Sequence, residues 1–282
     1  MKKFAYLSLA AGLALSSSAL AQFTSTAVGP IASADAIGSA ENGVFGNTYT
    51  GGNTLFGSMG FSGDLTQVIP GTWASEARWN ITNLGTGGSA TFQPTTTTNF
   101  SGTINISGNA NVLAWANTND TVTFEAYETF SDGAGPDSVW SNVEFTFRGD
   151  VTPTFLGAFG RDIAIDTFGS SLDSELALYT AGGLLLANND DTGGLQSQIL
   201  ATDLADGEYY IVVGGYNSGF GNGFAFPGAA SGDYVLNIDG AELASGTLDA
   251  GSFGVYSFVV PSPSAAAFLG LGALMAGRRR RA

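Results

Sequence analysis

Val143-Glu144-Phe145-Thr146-Phe147-Arg148 sets Val143, Phe145 and Phe147 on one face of an extended chain and polar side chains on the other. A period of two is the signature of a half-buried strand. Tyr234-Val235-Leu236-Asn237-Ile238-Asp239 repeats it through Tyr234, Leu236 and Ile238. Shorter copies lie at Trp79-Asn80-Ile81, Ile104-Asn105-Ile106 and Leu176-Ala177-Leu178-Tyr179. Tyr209-Tyr210-Ile211-Val212-Val213 is continuous instead, which suits a central strand. Clusters of Gly, Asn and Asp separate these runs, and no long helical period crosses the body. The pattern predicts an all-β chain of two β-sandwich or jelly-roll domains. The 20 phenylalanines suit packing between sheets.

The predicted domains span 22–150 and 151–257, with the boundary near Gly149-Asp150-Val151-Thr152-Pro153. Residues up to about Gly52 read as an arm with little pattern, and Pro94-Thr95-Thr96-Thr97-Thr98 as a loop or edge strand. Gly214 to Ser231 reads as a long loop rich in Gly and Phe, with Phe220, Phe224 and Phe226 either packing the loop or forming an aromatic binding surface.

Both ends carry different signals. Lys2 and Lys3 precede an apolar stretch from Phe4 to Leu15, and Ala19-Leu20-Ala21 precedes Gln22. These are the charged, apolar and small-residue parts of a secretory signal over 1–21, cut after Ala21 by signal peptidase, with Ala19 and Ala21 as the cleavage residues. At the other end, 258–282, an apolar run from Ala265 to Gly277 is followed by Arg278, Arg279, Arg280 and Arg281. The run is short beside the ~20 residues of a comfortable span, so a short, marginal transmembrane helix is expected, with the arginines as a cytoplasmic stop.

Charge separates the ends from the body. Of nine basic residues only Arg78, Arg148 and Arg161 lie between the two ends, whereas all 24 acidic residues do, a net charge of −21 for the body. That field repels nucleic acid and anionic membranes. The chain has no Cys and no His, and the body has no Lys. Thiolate chemistry, imidazole general bases, Schiff bases and catalytic triads are excluded in the body. What remains is a carboxylate pair or a metal held by oxygen.

The tail resembles the PEP-CTERM sorting signal of exopolysaccharide-producing bacteria on Val260-Pro261-Ser262-Pro263, the short apolar helix and the arginine cluster. Ser262 stands where that motif usually has Glu. The resemblance implies recognition by an exosortase-type membrane protease, removal of the tail, and delivery to the cell surface or extracellular matrix. From about Phe155 to Gly240 the chain resembles the bacterial pre-peptidase C-terminal (PPC) domain. The match rests on Ile165-Asp166-Thr167-Phe168, Leu172-Asp173-Ser174-Glu175-Leu176-Ala177-Leu178-Tyr179, Asn188-Asn189-Asp190-Asp191, Asp206-Gly207-Glu208-Tyr209-Tyr210 and Gly232-Asp233-Tyr234. It implies a small accessory β-sandwich of a secreted protein rather than a catalyst.

Asn188 to Asp191 concentrates the hard oxygen ligands that calcium prefers, in a spacing unlike an EF-hand. Asp173, Asp190, Asp191 and Asp203 are the candidate calcium ligands, and Asp132 to Asp137 is a second candidate loop. The expected function is a non-catalytic structural or adhesive protein of the surface or matrix. The alternatives are a calcium-assisted module binding extracellular polysaccharide and a glycan hydrolase using Glu125 and Glu128.

Overall fold

A computed structural model describes residues 21–149, 151–192 and 194–262. The signal region with Ala19, together with Pro263, the tail helix and Arg278–Arg281, lies outside the described residues. The described chain is all-β, with no helix among these residues.

The first half builds two sheets. One is ordered β1 (Gln22–Thr26), β9 (Ser138–Arg148), β4 (Thr54–Gln67), β7 (Thr103–Ala116), β17 (Phe224–Phe226) and β16 (Gly219–Gly221), with β2 (Ile31–Ser33) also on β9. The other is ordered β3 (Val44–Thr48), β8 (Thr121–Glu128), β5 (Ala77–Asn83) and β6 (Gly88–Phe92). Their facing sides meet in an aromatic core. Phe124 stacks on Phe145 at 4.5 Å, and Trp79 packs on Trp140 at 5.6 Å. Val143, Phe145 and Phe147 all point into it, as the opening alternation requires.

The second half builds a sheet ordered β10 (Thr154–Ala158), β20 (Gly254–Val260), β15 (Gly207–Gly215), β12 (Ser174–Thr180) and β13 (Leu185–Asn189). A further sheet is ordered β14 (Gln198–Ala201), β11 (Ile163–Asp166), β18 (Gly232–Ile238) and β19 (Ala241–Leu248). Between them Leu176, Leu178, Tyr209, Ile211, Val213, Leu236 and Ile238 form a second core.

The halves do not meet through a linker alone. A third buried cluster joins Leu55, Leu113 and Trp115 of the first half to Ala177, Tyr179, Val212 and Val255 of the second. The same strands therefore feed two cores by alternation: Leu176 and Leu178 point one way, Ala177 and Tyr179 the other. This explains why Tyr209–Val213 is continuously apolar: the sheet that holds it is covered on both faces.

Two expectations change. The stretch to Gly52 is no loose arm, because β1 and β2 pair with β9 and β3 pairs with β8. Its alternation is weak because these strands are short, yet Phe23 and Ile31 reach the first core. The Gly/Phe-rich segment 214–231 is no free loop either. It folds into the hairpin of β16 and β17, which crosses to the first half and pairs Phe224 with Ala114 and Ala225 with Leu113. Phe224 is buried in the first core, while Phe220 packs against Phe253. Phe220 and Phe226 stay half-exposed and, with Phe224, line a surface groove of about 360 Å³ beside β6.

The crossing is close. Gly183 has φ +83°, and a Cβ there would stand 2.5 Å from the Trp115 side chain, so glycine serves both the turn and the approach. The Gly223 amide donates to the Gly183 carbonyl at 2.7 Å, and the Gly223 carbonyl accepts from the Trp115 amide at 3.0 Å.

Where β2, β8 and β9 converge, the first half buries Glu128 and Asp137 at 1% and 0% exposure. Burial is the main cause that pushes Glu128 up to about 8 from 4.5, and the charges of Asp137 and Glu76 add to it. Burial raises Asp137 as well.

The shared cluster predicts one cooperative unfolding transition for both halves in calorimetry. Trp115→Ala should lower stability by about 3–5 kcal/mol, and two resolved transitions in the unaltered chain would contradict the coupling. A raised folded-state pKa also fixes a sign. The protonated Glu128 carboxyl favours the fold, so its contribution is complete below the unfolded value and is lost as pH rises through about 8. Urea denaturation in chelator should show stability falling from pH 5 to 8 with a Glu128 contribution approaching ~1.4 kcal/mol per pH unit. Glu128→Gln should remove that part of the slope. An equal slope in both chains would show that Glu128 does not titrate there.

Candidate functional site

The hairpin of β12 and β13 assembles the site. Leu176 pairs with Asn189, so Asp173, just before β12, and Asp190-Asp191, just after β13, emerge at the same end. Oxygens of Asp173, Asp190 and Asp191 all lie within 4.8 Å of one another. Asp190 and Asp191 are exposed and Asp173 is partly buried. One oxygen of Asp173, Oδ1, is buried without a hydrogen-bond partner. Burial raises the Asp173 carboxyl, followed by the charges of Asp191 and Asp190.

The loop is held from beneath. The Ser197 hydroxyl sits among the carbonyl oxygens of Ser174, Asn189 and Asp190. Asn189 Oδ1 accepts from the Thr192 hydroxyl at 2.8 Å and from the Gln198 amide at 2.9 Å. The acidic ends are thus presented on a braced turn.

Glu175 belongs to the same neighbourhood and was missed as a ligand candidate. It is 7% exposed, and its Oε1 accepts from the Asn217 amide at 2.7 Å. Burial first, then the Asp190 and Asp173 charges, push it up to about 7. The spacing held the signal, since residues two apart on a strand share a face. The cluster's chemistry is that of hard, anionic oxygen. Carboxylate oxygens at these separations suit a shared calcium ion, which binds oxygens at about 2.3–2.6 Å and completes its shell with water.

Asp203 does not join them. It lies in the turn after β14 with φ +54°, and its amide donates to the Asp162 carboxylate at 2.9 Å. Adjacent negative charge in the sequence did not carry the information that β14 leads away from the β12–β13 end.

Glu125 and Glu128 are three apart on β8, so they face opposite sides of the sheet. Glu125 Oε1 accepts from the Gly38 amide and from Asn42, while Glu128 is buried. They do not confront each other across a cleft. Of the sorting motif, Val260 ends β20 in the second core, and Pro261 and Ser262 follow it. The Ala21 carbonyl accepts from the Gly149 amide at 2.6 Å.

A separate shallow groove of about 290 Å³ crosses the outer face of β4, β7 and β9. It is lined by Gly60, Ser107, Asn109, Glu144, Thr146 and Arg148. Arg148 donates to Asn109 Oδ1 at 3.1 Å and lies flat over Gly60, where a Cβ would approach its guanidinium to 2.8 Å.

No protein-family profile matches the chain, and no curated sequence matches it. Among solved structures it has a slight likeness to human GIVD cytosolic phospholipase A2, at 12% identity and a TM-score of 0.24 over 75% of this chain and 33% of that one. The chain thus spans about a third of the length of that structure. A similar likeness extends to the botulinum neurotoxin serotype C1 binding domain, at 11% identity and a TM-score of 0.17 over 77% of this chain and 68% of that one. The binding domain of botulinum neurotoxin DC, solved with rat synaptotagmin II, gives 11% identity and a TM-score of 0.16 over 82% and 76%. These likenesses carry no functional argument.

Proposed function

We propose that this chain is a non-catalytic exported protein of a bacterial cell surface or extracellular matrix, and that calcium at Asp173, Asp190 and Asp191 stiffens its second half. The observations that carry the calcium reading are the convergence of three carboxylates within 4.8 Å and a buried Asp173 oxygen without a hydrogen-bond partner. The export and sorting reading rests on the sequence: Ala19-Leu20-Ala21 at one end, and at the other the tail's resemblance to PEP-CTERM signals through Val260-Pro261-Ser262-Pro263 and Arg278–Arg281. The resemblance of the second half to PPC domains supports an accessory role. The body's lack of His, Cys and Lys leaves few groups for catalysis.

A second reading is that the protein coheres matrix polysaccharide. The groove of Ser107, Asn109, Glu144 and Arg148 favours it, because such a set both donates and accepts hydrogen bonds to sugar hydroxyls.

Calcium that binds only the folded chain stabilises it by about 2.7 kcal/mol at a hundred times Kd. Thermal melts should therefore show a higher Tm in calcium than in chelator. Asp190→Asn with Asp191→Asn should shrink that difference, even where loss of repulsion raises the chelator Tm. An undiminished difference would remove Asp190 and Asp191 from the site. For the sorting reading, mass spectrometry of the protein from its native host should find a C-terminus upstream of Arg278, and one still carrying Arg281-Ala282 would refute processing. Arg148→Ala should weaken any signal on a glycan array, and an array with no bound glycan would dismiss the second reading.

A further inference from the structure

The first half holds a pair of carboxylates whose environment is unfinished. Glu128 ends β8, and Asp137 immediately precedes β9. Backbone bonds fix both: the Glu128 amide donates to the Asp35 carbonyl at 3.1 Å, and the Asp137 amide to the Ser33 carbonyl at 3.0 Å. The Asp137 carbonyl in turn accepts from the amides of Val68 and Ile69 at 3.0 and 3.1 Å. Neither residue can swing out to water without breaking the meeting point of β2, β8 and β9.

Each carboxylate has one satisfied and one orphaned oxygen. Glu128 Oε1 accepts from the Ser138 hydroxyl at 2.6 Å, and Asp137 Oδ2 from the Asp132 amide at 2.9 Å. Glu128 Oε2 and Asp137 Oδ1 are buried with no partner. The Ser33 hydroxyl, at 0% exposure, faces the Glu128 carboxylate without completing a well-formed hydrogen bond. Two carboxylate oxygens, one at the end of β8 and one at the start of β9, therefore lack a partner, with the Ser33 hydroxyl beside Glu128.

Among the described residues no arginine pairs with them. Arg161 pairs with Asp206, the sole ion pair among the described residues. Arg148 is engaged by Asn109 on another face. Arg78 sits opposite Tyr127, and the neighbouring Ala77 is the residue opposite Glu128, so Arg78 faces away. Around the pair stand only further acids: Glu76, Asp132 and Asp35. Buried ionised carboxylates must be neutralised by a proton or an ion. One proton neutralises one of the two carboxylates and leaves the other charged, whereas one divalent cation neutralises both.

We infer that Glu128, Asp137 and Ser33 form a buried calcium site in the first half, independent of the Asp173 cluster. Calcium fits because the donors are carboxylate and hydroxyl oxygens only, with no nitrogen or sulfur to favour a transition metal. Asp35, Asp132 and Glu76 lie outside the site and raise the local cation concentration at its approach. An ion there would tie together β2, β8 and the start of β9.

The test uses the whole chain carrying Asp173→Asn, Asp190→Asn and Asp191→Asn, which removes the second-half cluster. After dialysis from calcium into chelator-free buffer, elemental analysis should find about one calcium per chain in this background. Adding Glu128→Gln and Asp137→Asn should reduce it to none while circular dichroism stays that of a β protein. A background chain that retains no calcium would mean that protons neutralise the pair, and the inference would fall. An ion count unchanged by the two substitutions would overturn it equally. If the combined variant does not fold, Ser33→Ala in the same background takes its place. A calcium Kd raised by about tenfold supports the site, and an unchanged Kd refutes it. Because the Asp173 cluster is absent throughout, neither result depends on the fate of that site.

Discussion

Trp115 stacked on Tyr179, with ring centres 4.4 Å apart, is the contact through which the two halves become one body. Trp115 comes from β7 and Tyr179 from β12, each from the side of its sheet that faces away from its own half's core. The Tyr179 hydroxyl donates to the Phe224 carbonyl at 3.2 Å, which ties the stack to the crossing hairpin. The Leu185 amide donates to Asn222 Oδ1 at 3.0 Å on the same side. A sheet covered on both faces favours apolar side chains on each, so the largely apolar identity of β12, β15 and β20 follows from this junction.

Such a body places most of its polar chemistry at strand ends. Its three arginines cannot neutralise 24 acids, and only Arg161 makes an ion pair among the described residues. Carboxylates near the surface shed repulsion into water. Those near strand ends are drawn together by pairing, as Asp173 is with Asp190 and Asp191, or enclosed, as Glu128 and Asp137 are. At the enclosed pair a hydroxyl and a backbone amide satisfy one oxygen of each carboxylate and leave the other open. A chain poor in cations and rich in strand-end acids thus concentrates its carboxylate oxygens where strands meet.

Strands were legible where regular alternation marks the buried face, as Val143, Phe145 and Phe147 alternate with polar neighbours. Legibility failed at short strands: β3 is almost wholly exposed, and its residues record little of its pairing with β8. It failed again in 214–231, where glycines signalled a loop and the pairing of Phe224 and Ala225 with β7 depends on partners more than a hundred positions away. At the candidate site, Asp190 and Asp191 were readable from adjacency and Asp173 from its place before β12. Asp203 was equally acidic and lies elsewhere, because hairpin register, not composition, chooses which acids meet.

The sequence by itself determined that the body is all-β, acidic, and without thiol, imidazole or amine chemistry, because these follow from local periodicity and residue inventory. Only the tertiary structure decided that the second half donates a hairpin to the first half's sheet, that the ends of β4 and β7 carrying Leu55, Leu113 and Trp115 are covered by the second half, and that Glu128 and Asp137 lose access to water together. Those outcomes depend on contacts between residues far apart in the chain, and no local pattern encodes which strand edge or which oxygen is left without a partner until the sheets have closed.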